Sequence, residues 1–124
     1  MNLTANQIRF LLAVLSLTAI DEDIASKNIA RILGITRPSV HGMLEQMVER
    51  GLIEKAHYGS AKLTDEGLAL AQALEARRDR LMLLFIRRDG LPMNEALIAA
   101  TSLMSVLKEE SLQALEAQLN VTAQ

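Results

Sequence analysis

The sequence predicts a mostly α-helical protein, and three features support this fold class. Half of the 124 residues are hydrophobic but only 2% are aromatic, so aliphatic side chains and methionine have to build the core. Apolar residues recur three and four residues apart along most of the chain, which is the spacing of one face of an α-helix. Strand-like composition is confined to one short segment, residues 52–63.

The opening segment is predicted to form a core helix, because its apolar residues share one helical face: Ile8, Leu11, Leu12 and Leu15. No run approaches the ~18–20 apolar residues that a membrane span needs, and no charged and then apolar signal segment opens the chain. We therefore expect a cytoplasmic protein without membrane contact. The absence of cysteine excludes disulfides, thiolate metal sites and cysteine nucleophiles.

Residues 26–50 have the order of a helix-turn-helix. The first helix of this motif is short and amphipathic, and its predicted buried face consists of Ile29, Ile32 and Leu33. Gly34 suits the left-handed conformation that ends a helix, so the chain can turn sharply there. The side chain of the following Ile35 is expected to be buried and so to attach the turn to the core.

The second helix of the motif is predicted to begin after Thr36, whose hydroxyl can cap it, and to tolerate Pro38 in its first turn. Its predicted buried stripe consists of Val40, Leu44, Met47 and Val48. The residues predicted to face outward are Arg37, Ser39, His41, Gly42 and Glu45. Small and hydrogen-bonding residues at the exposed N-terminal end suit a helix that enters the major groove of DNA. The alternative is an ordinary helical hairpin with a solvated face.

A wing is predicted after this motif, as two short strands over residues 52–56 and 61–63 with a turn between them. Lys55, His57 and Lys62 are placed to reach phosphates, which gives affinity without sequence information. The complete set of predicted DNA-binding residues is Lys27, Thr36, Arg37, Ser39, His41, Gly42, Lys55, His57 and Lys62. The fold class is therefore a winged helix-turn-helix followed by further helices.

The charge distribution is compatible with specific rather than general DNA binding. The net charge is −2, and residues 1–63 hold seven Lys and Arg against six Asp and Glu. Three of these acids, Asp21, Glu22 and Asp23, cluster before the first helix of the motif. A regulator with few phosphate contacts tolerates this nearly neutral charge, whereas a protein that coats DNA non-specifically does not.

The second half is predicted to be helical, with a long helix over residues 65–88 that ends at Asp89 and Gly90. The next helix carries a narrow apolar seam at 4-3-4-3 spacing: Met93, Leu97, Ala100, Met104 and Leu107. Its other faces are also largely apolar, so we expect a second copy of the chain to cover it. This divides the chain into a DNA-binding domain, 1–64, and a helical dimerisation region, 65–124. The alternative is that these helices fold back on the winged domain.

The order of helices and wing resembles the metal-dependent repressors of the diphtheria toxin repressor and manganese transport regulator type. The stretches that carry the resemblance are residues 28–40 (NIARILGITRPSV), 49–54 (ERGLIE) and 62–67 (KLTDEG). The first two stretches are shared with other winged-helix regulators, including the MarR family. The resemblance implies a homodimer that is joined through its C-terminal helices and binds a palindromic operator.

The metal-ligand positions depart from that family. The resemblance places Arg9, Leu12, Arg78, Thr101, Met104 and Ser105 where members have carboxylate, histidine, cysteine or methionine ligands. These residues offer no negative charge, and two arginines would repel a cation. We therefore expect neither a metal nor another cofactor. One hypothesis is that Arg9 and Arg78 replace the charge of the metal permanently.

Nothing in the sequence resembles a nucleophile elbow, a phosphate loop or a metal hydrolase motif, so no enzyme is expected. The sequence predicts a transcriptional regulator that binds double-stranded DNA as a homodimer. Two alternatives stay open: a MarR-like regulator with a small organic effector, and a winged helix used as a protein-interaction module.

Overall fold

The computed structural model describes residues 3–20, 24–55 and 61–122. Its elements in chain order are α1 (Ala5–Ala19), α2 (Ser26–Leu33), α3 (Arg37–Glu49), β1 (Ile53–Lys55), β2 (Ala61–Leu63), α4 (Asp65–Asp89), α5 (Met93–Val106) and α6 (Glu109–Thr122). The predicted mostly α-helical fold with a small antiparallel hairpin is confirmed. No helix in the described ranges is long and apolar enough to cross a membrane.

The chain forms two compact units. One unit comprises residues 9–72 and contains α2, α3 and both strands, and the other comprises residues 1–8 and 73–124. The boundaries between the units fall inside α1 and α4. The functional division at residue 64, with DNA binding before it and dimerisation after it, stays a prediction.

Helix α1 begins with a reciprocal cap. The Gln7 N–H donates to Thr4 Oγ1 at 3.1 Å, and the Thr4 N–H donates to Gln7 Oε1 at 3.0 Å. This arrangement satisfies two N–H groups that the first turn leaves without partners. Ile8, Leu11 and Leu15 are buried as predicted, while Leu12 is half-buried. Other residues of α1 are buried as well: Phe10, Ala13, Val14 and Leu17.

The turn between α2 and α3 has the predicted chemistry. Gly34 adopts the left-handed conformation, with φ 67° and ψ 34°, and its N–H donates to the Ala30 carbonyl at 2.8 Å. Thr36 caps α3 by accepting a hydrogen bond from the Ser39 N–H at 3.3 Å, and Pro38 occupies the first turn. These local interactions fix where α2 ends and α3 begins.

The packing of the motif confirms most of the predicted core. Val40, Leu44 and Met47 of α3 are buried, and Val48 is half-buried. In α2, by contrast, the predicted buried face was partly wrong, because Ile32 is 44% exposed. Ile29 of the same helix is buried, and Leu33 and the following Ile35 are half-buried. The elements packed against α2 therefore cover only part of its apolar face.

The wing is held to the start of α4 by Thr64. Its N–H donates to the Leu52 carbonyl at 3.1 Å, and its hydroxyl donates to the Gly51 carbonyl at 2.7 Å. The same hydroxyl oxygen accepts from the Gly67 N–H at 3.0 Å and so caps α4. One threonine thus joins the turn before β1 to the helix after β2.

Gly67 lies where α4 passes closest to this turn. A Cβ at residue 67 would overlap the Leu52 carbonyl oxygen and would lie 2.8 Å from its carbonyl carbon. Because that obstacle is backbone, no rotamer change can remove it. Residues 49–54 and 62–67, two of the stretches that resemble the metal-dependent repressors, therefore contact each other through Leu52 and Gly67.

Helix α6 is joined to α4 by Arg77. Its Nε donates to Glu116 Oε1 at 2.6 Å, and its two terminal nitrogens donate to the two oxygens of Glu109 at 2.7 and 2.8 Å. Arg77 is mostly buried, and these hydrogen bonds raise its pKa. The hydrogen bond from Arg77 lowers the pKa of the Glu109 carboxyl to about 2. The pair favours the charged forms of both groups across the physiological range.

Candidate nucleic-acid interface

The predicted DNA-contacting residues of α3 lie together on the exposed side of this helix. Arg37, Ser39, His41 and Gly42 are all exposed, as predicted. Four of the five residues predicted to face outward, joined by Pro38, line a shallow depression of about 590 Å³: Arg37, His41, Gly42 and Glu45. Arg37, His41 and Glu45 follow one another at intervals of one helical turn, so the depression runs along the helix rather than around it.

The first turn of α3 keeps donors free for an anionic partner. The Thr36 hydroxyl accepts from the Ser39 N–H and donates to Ser39 Oγ at 2.9 Å, so its own proton is used inside the cap. The Ser39 hydroxyl accepts this bond and retains its proton for an external acceptor. No acidic side chain lies in the first turn of α3. The positive end of the helix dipole is therefore not compensated by a carboxylate of its own first turn.

Gly42 differs from the other described glycines. Gly34, Gly51 and Gly90 have positive φ, and Gly67 is required by the contact with Leu52. At residue 42 the backbone is helical, and in the part of the chain that the structure describes a Cβ would have no heavy atom within 4 Å beyond its own helix backbone and chain neighbours. Glycine in a helix interior costs about 1 kcal/mol relative to alanine. The fold itself gives no reason for this cost.

Pro38 and Glu45 line the depression but were not among the predicted DNA-binding residues, and Glu45 is the charged one of the two. It is exposed, one turn after His41, and forms no hydrogen bond or ion pair with any described residue. Its position in the depression could have been inferred from the spacing of four residues that joins Arg37, His41 and Glu45.

The wing presents its lysines on exposed positions. Lys55 and Lys62 are exposed, and Lys62 forms an ion pair with Glu54 at 3.4 Å across the strand pair. Both side chains of this ion pair are more than half exposed, so the pair contributes little stability and can exchange for a phosphate. The predicted contact His57 lies outside the described residues. Lys27, on the first turn of α2, is exposed.

Helix α5 exposes part of its predicted seam and buries the rest. Met93 and Leu97 are 71% and 40% exposed, whereas Ala100 and Met104 are buried within a single copy of the chain. Leu107 is half-buried. Two residues beside the seam extend the exposed apolar surface: Ile98 at 64% and Val106 at 75%. A partner can therefore reach the exposed apolar residues, but not Ala100 directly.

A family model described as wHTH-PRTase associated matches residues 12–91. The chain belongs to this family. The match includes the helix-turn-helix, the wing and the whole of α4. No match among curated proteins was found at the level of sequence.

Solved structures place this wHTH-PRTase associated chain in the fold of the metal-dependent regulators. The manganese regulator SloR superposes with a TM-score of 0.83 at 23% identity, covering 95% of this chain and 55% of SloR. The metal-dependent transcriptional regulator MtsR superposes with a TM-score of 0.79 at 25% identity, covering 95% of this chain and 55% of MtsR. The predicted resemblance is confirmed, and the chain spans about half the length of these regulators.

A further structural neighbour is of similar size. The hypothetical protein SSo2273 from Sulfolobus solfataricus superposes with a TM-score of 0.70 at 21% identity, and the alignment covers 96% of this chain and 91% of SSo2273. The arrangement of helices and wing therefore also occurs in a protein without the additional length of SloR and MtsR.

The residues at the implied metal positions do not fit a divalent metal. Arg9 is exposed, and Arg78 donates to Asp79 at 3.0 Å. The Thr101 hydroxyl donates to the Leu97 carbonyl at 3.0 Å, so it is already used within α5. The remaining positions supply an apolar side chain, a thioether and a hydroxyl: Leu12, Met104 and Ser105. In the part of the chain that the structure describes, no three His, Asp or Glu residues form a group able to hold a metal ion.

Proposed function

We propose that this protein is a sequence-specific DNA-binding transcriptional regulator. The observation that carries the proposal is the exposed face of α3, where Arg37, His41 and Gly42 line one depression beside a helix N-terminus with no acidic residue in its first turn. A helix of this kind inserts into the major groove, and the lysines of the wing supply phosphate contacts. The structural neighbours SloR, a manganese regulator, and MtsR, a metal-dependent transcriptional regulator, support this proposal. It implies a protein without enzymatic activity that works in the cytoplasm.

The test is binding to DNA. Fluorescence anisotropy with labelled genomic fragments should identify a preferred site that competes poorly with random duplex. Arg37→Ala and His41→Ala should each reduce the preference by about 1–3 kcal/mol, because a direct base contact contributes that much discrimination. Equal weakening of specific and random duplex by both variants would contradict the proposed base contacts.

We further propose that the regulator is a homodimer on a palindromic operator, with dimerisation assigned to residues 65–124. Support comes from the apolar surface of α5, since large exposed apolar patches mark interaction sites. Two half-sites about 34 Å apart would then match the two DNA-binding units of the dimer. The double variant Met93→Glu, Leu97→Glu should be monomeric by light scattering and should bind the operator weakly.

The matched control for this experiment is Ile20→Glu. Ile20 is 65% exposed and lies in the other unit, so this variant replaces an exposed apolar residue by glutamate outside the proposed interface. The control should remain a dimer. A monomeric wild type at micromolar concentration would contradict the proposed assembly.

We propose that DNA binding does not require a metal. The chain has no anionic or imidazole donor at the positions that the resemblance assigns to ligands, and a bound dication needs such donors. Protein treated with a chelator should bind its operator with unchanged affinity in the absence and presence of Mn²⁺ or Zn²⁺. A chelator-reversible gain of tenfold or more would refute this proposal. SloR and MtsR are described by manganese and by metal dependence, and not by an organic effector. We propose no small-molecule effector for this chain.

The family description supports a second candidate function, as a protein-interaction module. Its words associate this winged helix with a PRTase, that is, a phosphoribosyltransferase. The test is light scattering of the purified chain mixed with the phosphoribosyltransferase whose gene lies nearest to its own. A complex of the summed mass would support the candidate, and separate elution with unchanged masses would argue against it.

A further inference from the structure

Gly42 leaves the backbone of α3 accessible on the exposed side of the helix. Its helical conformation does not need glycine, and no described neighbour would be displaced by a Cβ. Gly67 of α4, in contrast, is explained by its contact with Leu52. A missing side chain on an exposed helix face leaves space for a flat group to reach the backbone. The same residue lies in the depression that Arg37 and Glu45 border.

The carboxylate of Glu45 determines which base can bind in the space beside Gly42. Its carboxylate lies one turn after Gly42 and has no partner among the residues described. An ionised carboxylate accepts hydrogen bonds and cannot donate them. In the major groove the donors are the amino groups of cytosine and adenine. Adenine also presents its N7 acceptor there, which repels a carboxylate, whereas cytosine presents only its amino group.

We propose that the depression around Gly42 reads a cytosine: Glu45 accepts a hydrogen bond from the cytosine amino group, and Gly42 lets that base pair approach the backbone of α3. This inference rests on the proposed function, since it assumes that α3 enters the major groove. It makes Glu45 a specificity-determining residue and gives the acidic member of the depression a binding role.

The position of Glu45 along α3 separates its base pair from that of Arg37. Eight residues of helix span about 12 Å. Base pairs follow one another about every 3.4 Å along the DNA axis, so two residues about 12 Å apart are too distant to contact the same base pair. Arg37 and Glu45 therefore read different base pairs of the half-site. Arginine prefers guanine, so the expected half-site has a guanine and a cytosine at different positions.

The experiment is a selection from a pool of random-sequence duplexes with wild type, Glu45→Gln and Gly42→Ala, followed by affinity measurements on the selected sites. Glutamine is the same size as glutamate but bonds well to adenine. Glu45→Gln should therefore replace cytosine by adenine at one position of each half-site and leave the other positions unchanged. Gly42→Ala should bind the wild-type site at least tenfold more weakly while its melting temperature does not fall.

The matched control is Glu49→Gln. Glu49 is exposed on the same helix but does not line the depression, so its substitution removes the same charge elsewhere. This control should raise the affinity for all duplexes slightly and leave the selected sequence unchanged. A change of one base in Glu45→Gln that is absent in Glu49→Gln cannot arise from charge alone.

Two results would overturn the inference while leaving the regulator function intact. The first is a selected sequence that is identical for wild type and Glu45→Gln. The second is an unchanged affinity of Gly42→Ala for the wild-type site. If wild type selects no sequence at all, both the inference and the proposed function are refuted.

Discussion

Replacing Gly67 by alanine tests the contact between the wing and α4. The new Cβ would overlap the carbonyl group of Leu52, so α4 has to move away from the turn before β1. That movement separates Thr64 from its two acceptors, the carbonyls of Gly51 and Leu52. A substitution that normally favours a helix is therefore expected to destabilise this protein.

The magnitude follows from three contributions. Overpacking of this kind costs about 1–3 kcal/mol. Each of the two hydrogen bonds of Thr64 contributes about 1 kcal/mol, and alanine recovers about 1 kcal/mol through its higher helix propensity. The free energy of unfolding should thus fall by about 2–4 kcal/mol. For a chain of this size the melting temperature should fall by roughly 10 °C.

The assay is urea and thermal unfolding followed by circular dichroism, with all variants at one protein concentration. Gly42→Ala is the matched control, because it makes the same substitution in a helix where the Cβ meets open space. This control should gain about 1 kcal/mol in the free energy of unfolding. If Gly67→Ala is as stable as wild type, the close contact between residue 67 and Leu52 does not exist as described.

Two further predictions concern charged residues. Hydrogen bonding to Arg77 lowers the pKa of Glu109 to about 2. The ion pair of Glu109 with Arg77 therefore stabilises the fold fully above the unfolded pKa of Glu109, about 4.3, and this stabilisation is lost as the pH falls toward 2. In acid unfolding, the Glu109→Gln variant should therefore lose less stability than wild type between pH 5 and pH 2. The control Glu110→Gln changes an exposed neighbour of Glu109 and should behave as wild type. Lys55→Ala and Lys62→Ala should weaken binding to all duplexes alike, and each should reduce the slope of log affinity against log salt by about one. A change of sequence preference in either variant would contradict the assignment of these lysines to phosphate contacts.

Local interactions made the helix-turn-helix predictable. The left-handed Gly34 and the capping Thr36 act within four residues of the chain, so their roles depend little on the rest of the fold. The buried stripe of α3 follows from helical spacing in the same way. The reciprocal cap of Thr4 and Gln7 was also readable, as a threonine followed three residues later by glutamine.

Contacts between distant segments were not predictable from these patterns. The bond from Thr64 to Gly51 joins residues 13 positions apart, and the ion pair of Arg77 with Glu109 joins residues 32 positions apart. Helical spacing shows that a carboxylate or a threonine faces outward, but it does not show which segment meets it. Gly67 likewise gave no signal, since only the path of the Leu52 backbone makes a side chain impossible there.

The sequence by itself determined the class of elements, their order and the outward face of α3, because spacing and capping act within one or two helical turns. The tertiary structure alone decided which apolar residues are covered. In α5 the pattern made Met93, Leu97, Ala100 and Met104 equivalent, yet the fold buries the last two and exposes the first two. It also left Ile32 of α2 exposed. Periodicity defines a face relative to the axis of its own helix, whereas burial depends on how much of that face the neighbouring elements cover.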